Sequence, residues 1–390
     1  ARAVTAAWSR SARHPGYTVV GTREVAFWPI ADLGLAVVVG EGRKGMKEKS
    51  SPTIHAREVV RRRAAVERFG LVLAGSVPTS EVVATGIPVV RLAKTRSWPL
   101  VEVVDRNEEP PGSGFLATRT MAALRAVAES GGRSFVFTHR RGYAPAFRCT
   151  ACRLVRACPE CDARADKAPS CARCATALGP CVACGARTFE PLGAGVERIA
   201  EQLARSLPVG TVGSDLPVWV GTERDLPEVS DVDLAIVVDA DGLVQAPNYR
   251  AAEDALRLLA RVAETVGAGS SRRAIVQTGR PGDPVITALR RGDPQEFLAA
   301  TIAERAATRL PPAGEVLVIE LDGTGAADEE IRRLADDRAE VFGPAEHSGR
   351  HRWLMQGADL RPVRIALRRL VQGWRDAGRR VRVDVDPLEL

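Results

Sequence analysis

All eight cysteines of the 390-residue chain lie between Cys149 and Cys184, as four Cys-x-x-Cys pairs: Cys149/Cys152, Cys158/Cys161, Cys171/Cys174 and Cys181/Cys184. A tight Cys-x-x-Cys turn aims two thiolates at one ion, and tetrahedral zinc takes two such turns, so four turns hold two ions. The segment has few large apolar residues, and Pro159, Gly179, Pro180 and Gly185 suit its turns. Metal binding would then supply much of its folding free energy. A disulfide framework needs an oxidising compartment, and the opening ARAVTAAWSRSARHPG lacks the apolar core and cleavage site of a secretory signal. The compact bacterial iron–sulfur spacing is missing, and a redox pair would be single and sit at a helix start. Spacing leaves two pairings of the turns open, nested or sequential.

The length implies two or three domains, each able to bury an ordinary core. No run of 18 apolar residues offers a membrane span, and the chain, which opens on Ala1, reads as cytoplasmic and as possibly lacking upstream residues. The net charge of +7 favours polyanionic partners, DNA or RNA among them. Only five of the 55 basic residues are lysine, however, a skew that looks like GC-rich coding and weakens any argument from arginine density.

Short apolar runs at 17–20, 35–39, 71–74 and 135–137 are separated by helical patterns, the signature of a mostly parallel sheet. The pattern resumes at 218–220, 234–238 and 274–277, so the metal module at 149–185 is an insertion within an α/β region. The Pro/Gly-rich stretch at 107–114 reads as a linker between α/β units 1–106 and 115–148 plus 186–308. Residues 309–390 follow the β-α-β-β-α-β order of a ferredoxin-like α+β domain, after the hinge Leu310-Pro-Pro-Ala-Gly314.

Ahead of the first cysteine stands Phe135-Val-Phe-Thr-His-Arg-Arg-Gly-Tyr-Ala-Pro-Ala-Phe-Arg-Cys149, a strand followed by a basic, aromatic turn. This resembles the segment entering the zinc insertion of the primosomal replication-restart family PriA, also called primosomal protein N′. Gly21-Thr-Arg23, His55-Ala-Arg57, Val218-Trp-Val-Gly-Thr222, Asp239-Ala-Asp-Gly242, Tyr249-Arg-Ala-Ala-Glu253 and Val383-Asp-Val-Asp-Pro387 are similar to family motifs, in the same order. The resemblance implies two RecA-like helicase lobes, the first one partial, a two-zinc module inserted in the second, and a C-terminal ferredoxin-like domain. It also implies the nested arrangement, with Cys149, Cys152, Cys181 and Cys184 on one zinc and Cys158, Cys161, Cys171 and Cys174 on the other.

The departures bear on activity. An ATP-driven helicase needs a GxxxxGK[ST] loop, an acidic pair for magnesium and water, and arginines on the γ-phosphate. No GK[ST] occurs; Val39-Gly40-Glu41-Gly42 stands where the family carries DEEH, and 262–268 lacks both arginines of the family's VAGRAGR. Ala74-Gly-Ser-Val-Pro78 is a reduced form of its GSATP motif.

The resemblance and the departures together point to a protein that binds stalled or branched replication forks and helps reload the replication machinery without unwinding DNA. ATP and Mg2+ are then not expected as working cofactors, and no residue is assigned a catalytic role. The rival is an active ATP-dependent 3′–5′ helicase with drifted motifs; a zinc-ribbon RNA-binding or tRNA-modifying protein is the third reading. The expected partners are forked or single-stranded DNA, primosome and helicase-loading proteins and single-stranded DNA-binding protein, engaged by a monomer close to the nucleoid. Arg140, Arg141, Tyr143 and Arg148 are the candidate DNA contacts, with a solvated turn packed on the zinc module as the competing reading. The run 41–49 reads as a mobile surface loop, with phosphate contact as its alternative. Asp239 and Asp241 are expected to shape a turn, and His55 and His139 to be non-catalytic.

Overall fold

The computed structural model describes residues 2–50, 53–91, 96–110, 114–138, 146–152, 154–165, 168–171, 174–192, 195–347 and 349–389. The chain divides into two compact units, Ala1–Pro88 with Leu298–Leu390, and Val89–Phe297.

In the first unit, strands β1 (Leu35–Val39) and β2 (Gly70–Ala74) pair in parallel, with Leu35 opposite Gly70 and Val39 opposite Ala74. The helix Ala56–Glu67 connects them, and His55 caps it, its Nδ1 accepting the Arg57 N–H at 3.2 Å. This partial lobe is therefore a βαβ unit. Leu35, Val37 and Val39 are all more than half exposed on one face of β1. The run 17–20 forms no strand: Val20 is 90% exposed, and an extended segment without a neighbour to pair with gains nothing from its apolar side chains.

The second unit is built on a six-stranded sheet. Its strands are β3 (Val101–Asp105) and β4 (Ser134–Phe137), followed, after the module strands β5 (Ala146–Cys149) and β6 (Phe189–Leu192), by β7 (Val209–Gly210), β8 (Val218–Gly221), β9 (Leu234–Val237) and β10 (Arg273–Thr278). The order is β3-β10-β9-β4-β8-β7, with every pairing parallel. Strands β4, β8 and β9 are buried at every position, which is why SFVF, VWVG and LAIV read as continuous apolar runs instead of alternating ones. Leu116, Leu124, Val136, Ile199, Leu203, Ile236 and Ile275 form the core between sheet and helices. Strand β3 belongs to this sheet, Val101 lying opposite Ala274 and Asp105 opposite Thr278. The chain thus crosses between units before residue 101, upstream of the Pro/Gly-rich stretch expected to mark that passage.

The carboxyl-terminal strands β11 (Glu315–Leu321), β12 (Glu340–His347), β13 (Arg350–Gly357) and β14 (Val381–Val385) make an antiparallel sheet of order β12-β13-β11-β14. With the helices Ala327–Ala335 and Arg361–Asp376 this is the ferredoxin-like topology. Leu317, Ile319, Ile331, Trp353, Met355, Val363 and Leu367 form its core. Among the described residues, no helix is long and apolar enough to cross a membrane.

Candidate metal centre and its surroundings

Each Cys-x-x-Cys pair sits in the same backbone hairpin. The N–H of the first cysteine donates to the carbonyl five residues on: Cys149 to Leu154, Cys158 to Ala163, Cys171 to Thr176 and Cys181 to Ala186, all at 2.8 Å. After Cys161, Cys174 and Cys184 the next residue, Asp162, Ala175 or Gly185, returns its N–H to the first cysteine's carbonyl at 2.8–2.9 Å. Those three residues have φ of +53°, +60° and +73°. Gly185 adopts this conformation freely, whereas Asp162 and Ala175 carry a Cβ in the left-handed region and must be held there by their surroundings. Ligation of the adjacent cysteine is such a constraint.

The outer hairpins bring Cys149, Cys152, Cys181 and Cys184 together, and the inner ones Cys158, Cys161, Cys171 and Cys174, with the ligand atoms of each set within 4.8 Å of one another. The Sγ–Sγ separations are 3.5 Å for Cys149–Cys184 and Cys152–Cys181, 3.4 Å for Cys158–Cys174 and 3.7 Å for Cys161–Cys171. A disulfide needs about 2.05 Å. Four thiolates each about 2.3 Å from a tetrahedral zinc stand roughly 3.8 Å apart, so the spacing fits two zinc ions and excludes disulfides.

The thiols also need a cation. Cys149, receiving the Cys152 N–H, is drawn down to about 6, while Cys152, helped by the Leu154 N–H but crowded by Cys181 and Cys184, is pushed up to about 12. The inner set repeats this: Cys174, bonded to the Thr176 side chain, falls to about 6, and Cys161, despite the Ala163 N–H, rises to about 12. Without a metal one thiol of a set ionises at the expense of another, a conflict that a divalent ion removes.

The module rises from the antiparallel pair β5–β6, in which Cys149 faces Phe189. Beside it a groove of about 530 Å3 is lined by Arg156, Leu178, Gly179, Pro180, Arg187 and Phe189. The Arg156 guanidinium lies 4.5 Å from the centre of the Phe189 ring. Of the candidate DNA contacts, Arg148 is half-buried on β5, and Arg140, Arg141 and Tyr143 lie outside the described residues, as does His139. Spacing gave no hint of the Arg156 groove, because single arginines carry little signal in an arginine-rich chain.

Several motif residues have internal partners. Glu41 is buried, its carboxylate 2.6 Å from Arg57 Nη1, 2.7 Å from the Thr79 N–H and 3.1 Å from the Thr79 hydroxyl. Thr265, in the segment where the family carries arginines, is buried and donates its hydroxyl to the Val262 carbonyl. Asp239 accepts the Gly242 N–H at 3.2 Å and does shape its turn. The 41–49 run is anchored instead of mobile: Lys47 is buried, with Nζ 2.6 Å from Asp384 and 2.7 and 2.8 Å from the Val385 and Asp386 carbonyls. A second groove, of about 560 Å3, has an apolar floor of Ile54, Leu367, Val371 and Val383, rimmed by Arg364, Arg368 and Arg375.

A family model described as the primosomal protein N C-terminal domain matches residues 306–388. The chain is 27% identical to the probable replication restart protein PriA of Mycobacterium leprae, over 98% of this chain and 67% of the relative. It is 26% identical to the replication restart protein PriA of Synechocystis, over 95% of this chain and 53% of the relative. Against the probable replication restart protein PriA of Mycobacterium tuberculosis it is 28% identical, over 87% of this chain and 58% of the relative. The chain spans between about half and two thirds of the length of these relatives.

Proposed function

We propose, because this chain belongs to the PriA family of replication-restart proteins, that it binds branched DNA through its two-zinc module and serves primosome assembly without driving unwinding by ATP hydrolysis. The observation that carries the DNA contact is the groove beside the zinc sites. A guanidinium stacked on Phe189, a second arginine at Arg187 and the backbone of Gly179 and Pro180 offer a cation for phosphate and flat surfaces for bases. The zinc ions, when bound, fix the hairpins that form its walls. Protein partners have a separate candidate surface. The arginine-rimmed apolar groove suits a segment presenting acidic and apolar side chains, the chemistry by which single-stranded DNA-binding protein, a primosome component or a helicase loader would be held.

The absence of ATP-driven work is supported by Glu41. Its carboxylate, at the segment matching the family's acidic motif, is buried, paired with the Arg57 guanidinium and hydrogen-bonded by Thr79. Two measurements test the proposal. Replacing both Arg156 and Arg187 by alanine is expected to weaken forked-DNA binding in fluorescence anisotropy by about tenfold to a hundredfold, at unchanged zinc content. DNA-stimulated ATP turnover by the full-length protein within about a hundredfold of an ordinary helicase, where one lost arginine finger already costs about 10³, would restore the helicase reading.

A further inference from the structure

One side chain joins the inner cysteine site to the carboxyl edge of the six-stranded sheet. Arg164 stands three residues after Cys161, on the hairpin that the inner cysteines close. Its backbone is pinned on both sides. Cys158 N–H donates to the Ala163 carbonyl, Ala165 N–H donates to the Arg156 carbonyl, and Ala157 and Arg164 face each other as an antiparallel bridge. Its guanidinium leaves the hairpin and lands on the lobe. Nε donates to Gln245 Oε1 at 2.6 Å, Nη1 reaches Asp239 at 3.3 Å, and Nη2 lies 3.7 Å from Asp241. The side chain is only 9% exposed there.

The two aspartates receive the ends of neighbouring strands. Asp239 follows β9 and accepts the Gly242 N–H, while Asp241 accepts the Gly279 N–H at 2.8 Å and the Thr278 hydroxyl at the end of β10. Burial, and then the Asp239 charge, push the Asp241 carboxyl upward, against the Thr278 hydroxyl, the Gly279 N–H and, least of the three, Arg164. Among the described residues a second ion pair joins this hairpin to the strand ends, Arg280 to Asp162 at 3.6 Å, but it is half exposed or more at both partners and contributes little.

Among the described residues the hairpin has little else to hold it. Around the inner site the buried side chains are Cys158, Cys171 and Ala163, with Cys161 and Leu178 partly buried against them, so the interior is largely the ligand set itself. We infer that Arg164 is a metal-dependent latch: the inner zinc site fixes the hairpin, the hairpin fixes Arg164, and Arg164 holds the turns after β9 and β10 in one arrangement. The carboxyl edge of a parallel sheet is where α/β proteins place their ligands, so the zinc module sets the shape of that edge as well as presenting its own groove. The latch goes beyond the DNA-binding reading and operates with no DNA present.

Hydrogen–deuterium exchange on the full chain, free of DNA, tests it. Loss of the inner zinc in Cys171→Ser is expected to accelerate exchange about tenfold or more in peptides covering 238–246 and 277–282. Arg164→Gln, shown by metal analysis to retain two zinc ions, should accelerate the same peptides as much, and the double variant no further. Wild-type protection in zinc-replete Arg164→Gln, or multiplying effects in the double variant, would overturn the latch. Should Arg164→Gln lose metal, Gln245→Ala removes the shortest contact from the lobe side without touching the hairpin. It should speed the same two peptides, by a smaller factor, with both zinc ions retained; unchanged exchange there would also overturn the latch.

Discussion

The zinc module and the ferredoxin-like domain each hold a short chain in one conformation, with different materials. In the ferredoxin-like domain Leu317, Ile319, Ile331, Trp353 and Met355 are withdrawn from water almost completely, and two helices cover one face of a four-stranded sheet. Between Phe147 and Cys184 the buried described side chains are Phe147, Ala163, Ala165 and four of the cysteines, Cys149, Cys158, Cys171 and Cys181. One region is held by area buried, the other by bonds to an ion. The first is expected to tolerate chelators and the second not, so that the second can be dismantled while the first stays intact.

The largest effect that separates them is metal removal. Structural zinc sites carry apparent binding free energies of about 10–16 kcal/mol at neutral pH, more than the few buried side chains of the module can replace. Cys171→Ser is expected to lower the zinc content from two to one and abolish exchange protection around the inner hairpins, with the carboxyl-terminal sheet unchanged. Acid should do the same by protonation. Each set must shed its thiol protons to hold an ion, so protons compete with zinc for the sulfurs and affinity falls as pH falls. Zinc release to a chromogenic chelator between pH 8 and 5 would measure it, and retention of both ions at pH 5 would contradict the assignment.

The reverse cut is Trp353→Ala. Trp353 is fully buried in the carboxyl-terminal core, and its indole N–H also donates to Asp328 at 2.9 Å. The substitution is expected to cost about 3–5 kcal/mol, read as a fall in the unfolding midpoint, with zinc content still two. Loss of zinc in this variant would mean that the two regions depend on each other.

The same difference explains what was legible in the sequence. Thiolate spacing is a local code, so the cysteine module could be read without knowledge of the fold. The β-α-β-β-α-β order was also plain, since alternation and helical period mark each element at 315–385. Non-local facts were hidden. The register that places β3 beside β10 depends on a partner strand about 170 residues away, and nothing in VEVVD announces it. The apolar run at 17–20 satisfies a strand pattern but lacks a neighbour. Arg164 looked like any other arginine, because its role comes from a contact 81 residues distant.

Lys47 carries this lesson to a smaller test. In the run EGRKGMKEK its charge suggested a solvated loop, yet Nζ is buried against Asp384 and two carbonyls of the VDVDP segment. Breaking a buried pair strands its partner, which can cost about 3–5 kcal/mol. Asp384 keeps a second cation, Arg382 Nη2 at 2.9 Å, so Lys47→Ala is expected at about 2–3 kcal/mol, below the effect of Trp353→Ala. Lys44, three residues away, also meets a carboxylate, Glu389, but both side chains are close to half exposed or more. Lys44→Ala should therefore lie within about 0.5 kcal/mol of the parent in urea denaturation. Two lysines of one basic run would then differ by about 2 kcal/mol, solely through the depth at which each charge is held. Equal effects would return the whole run to the surface.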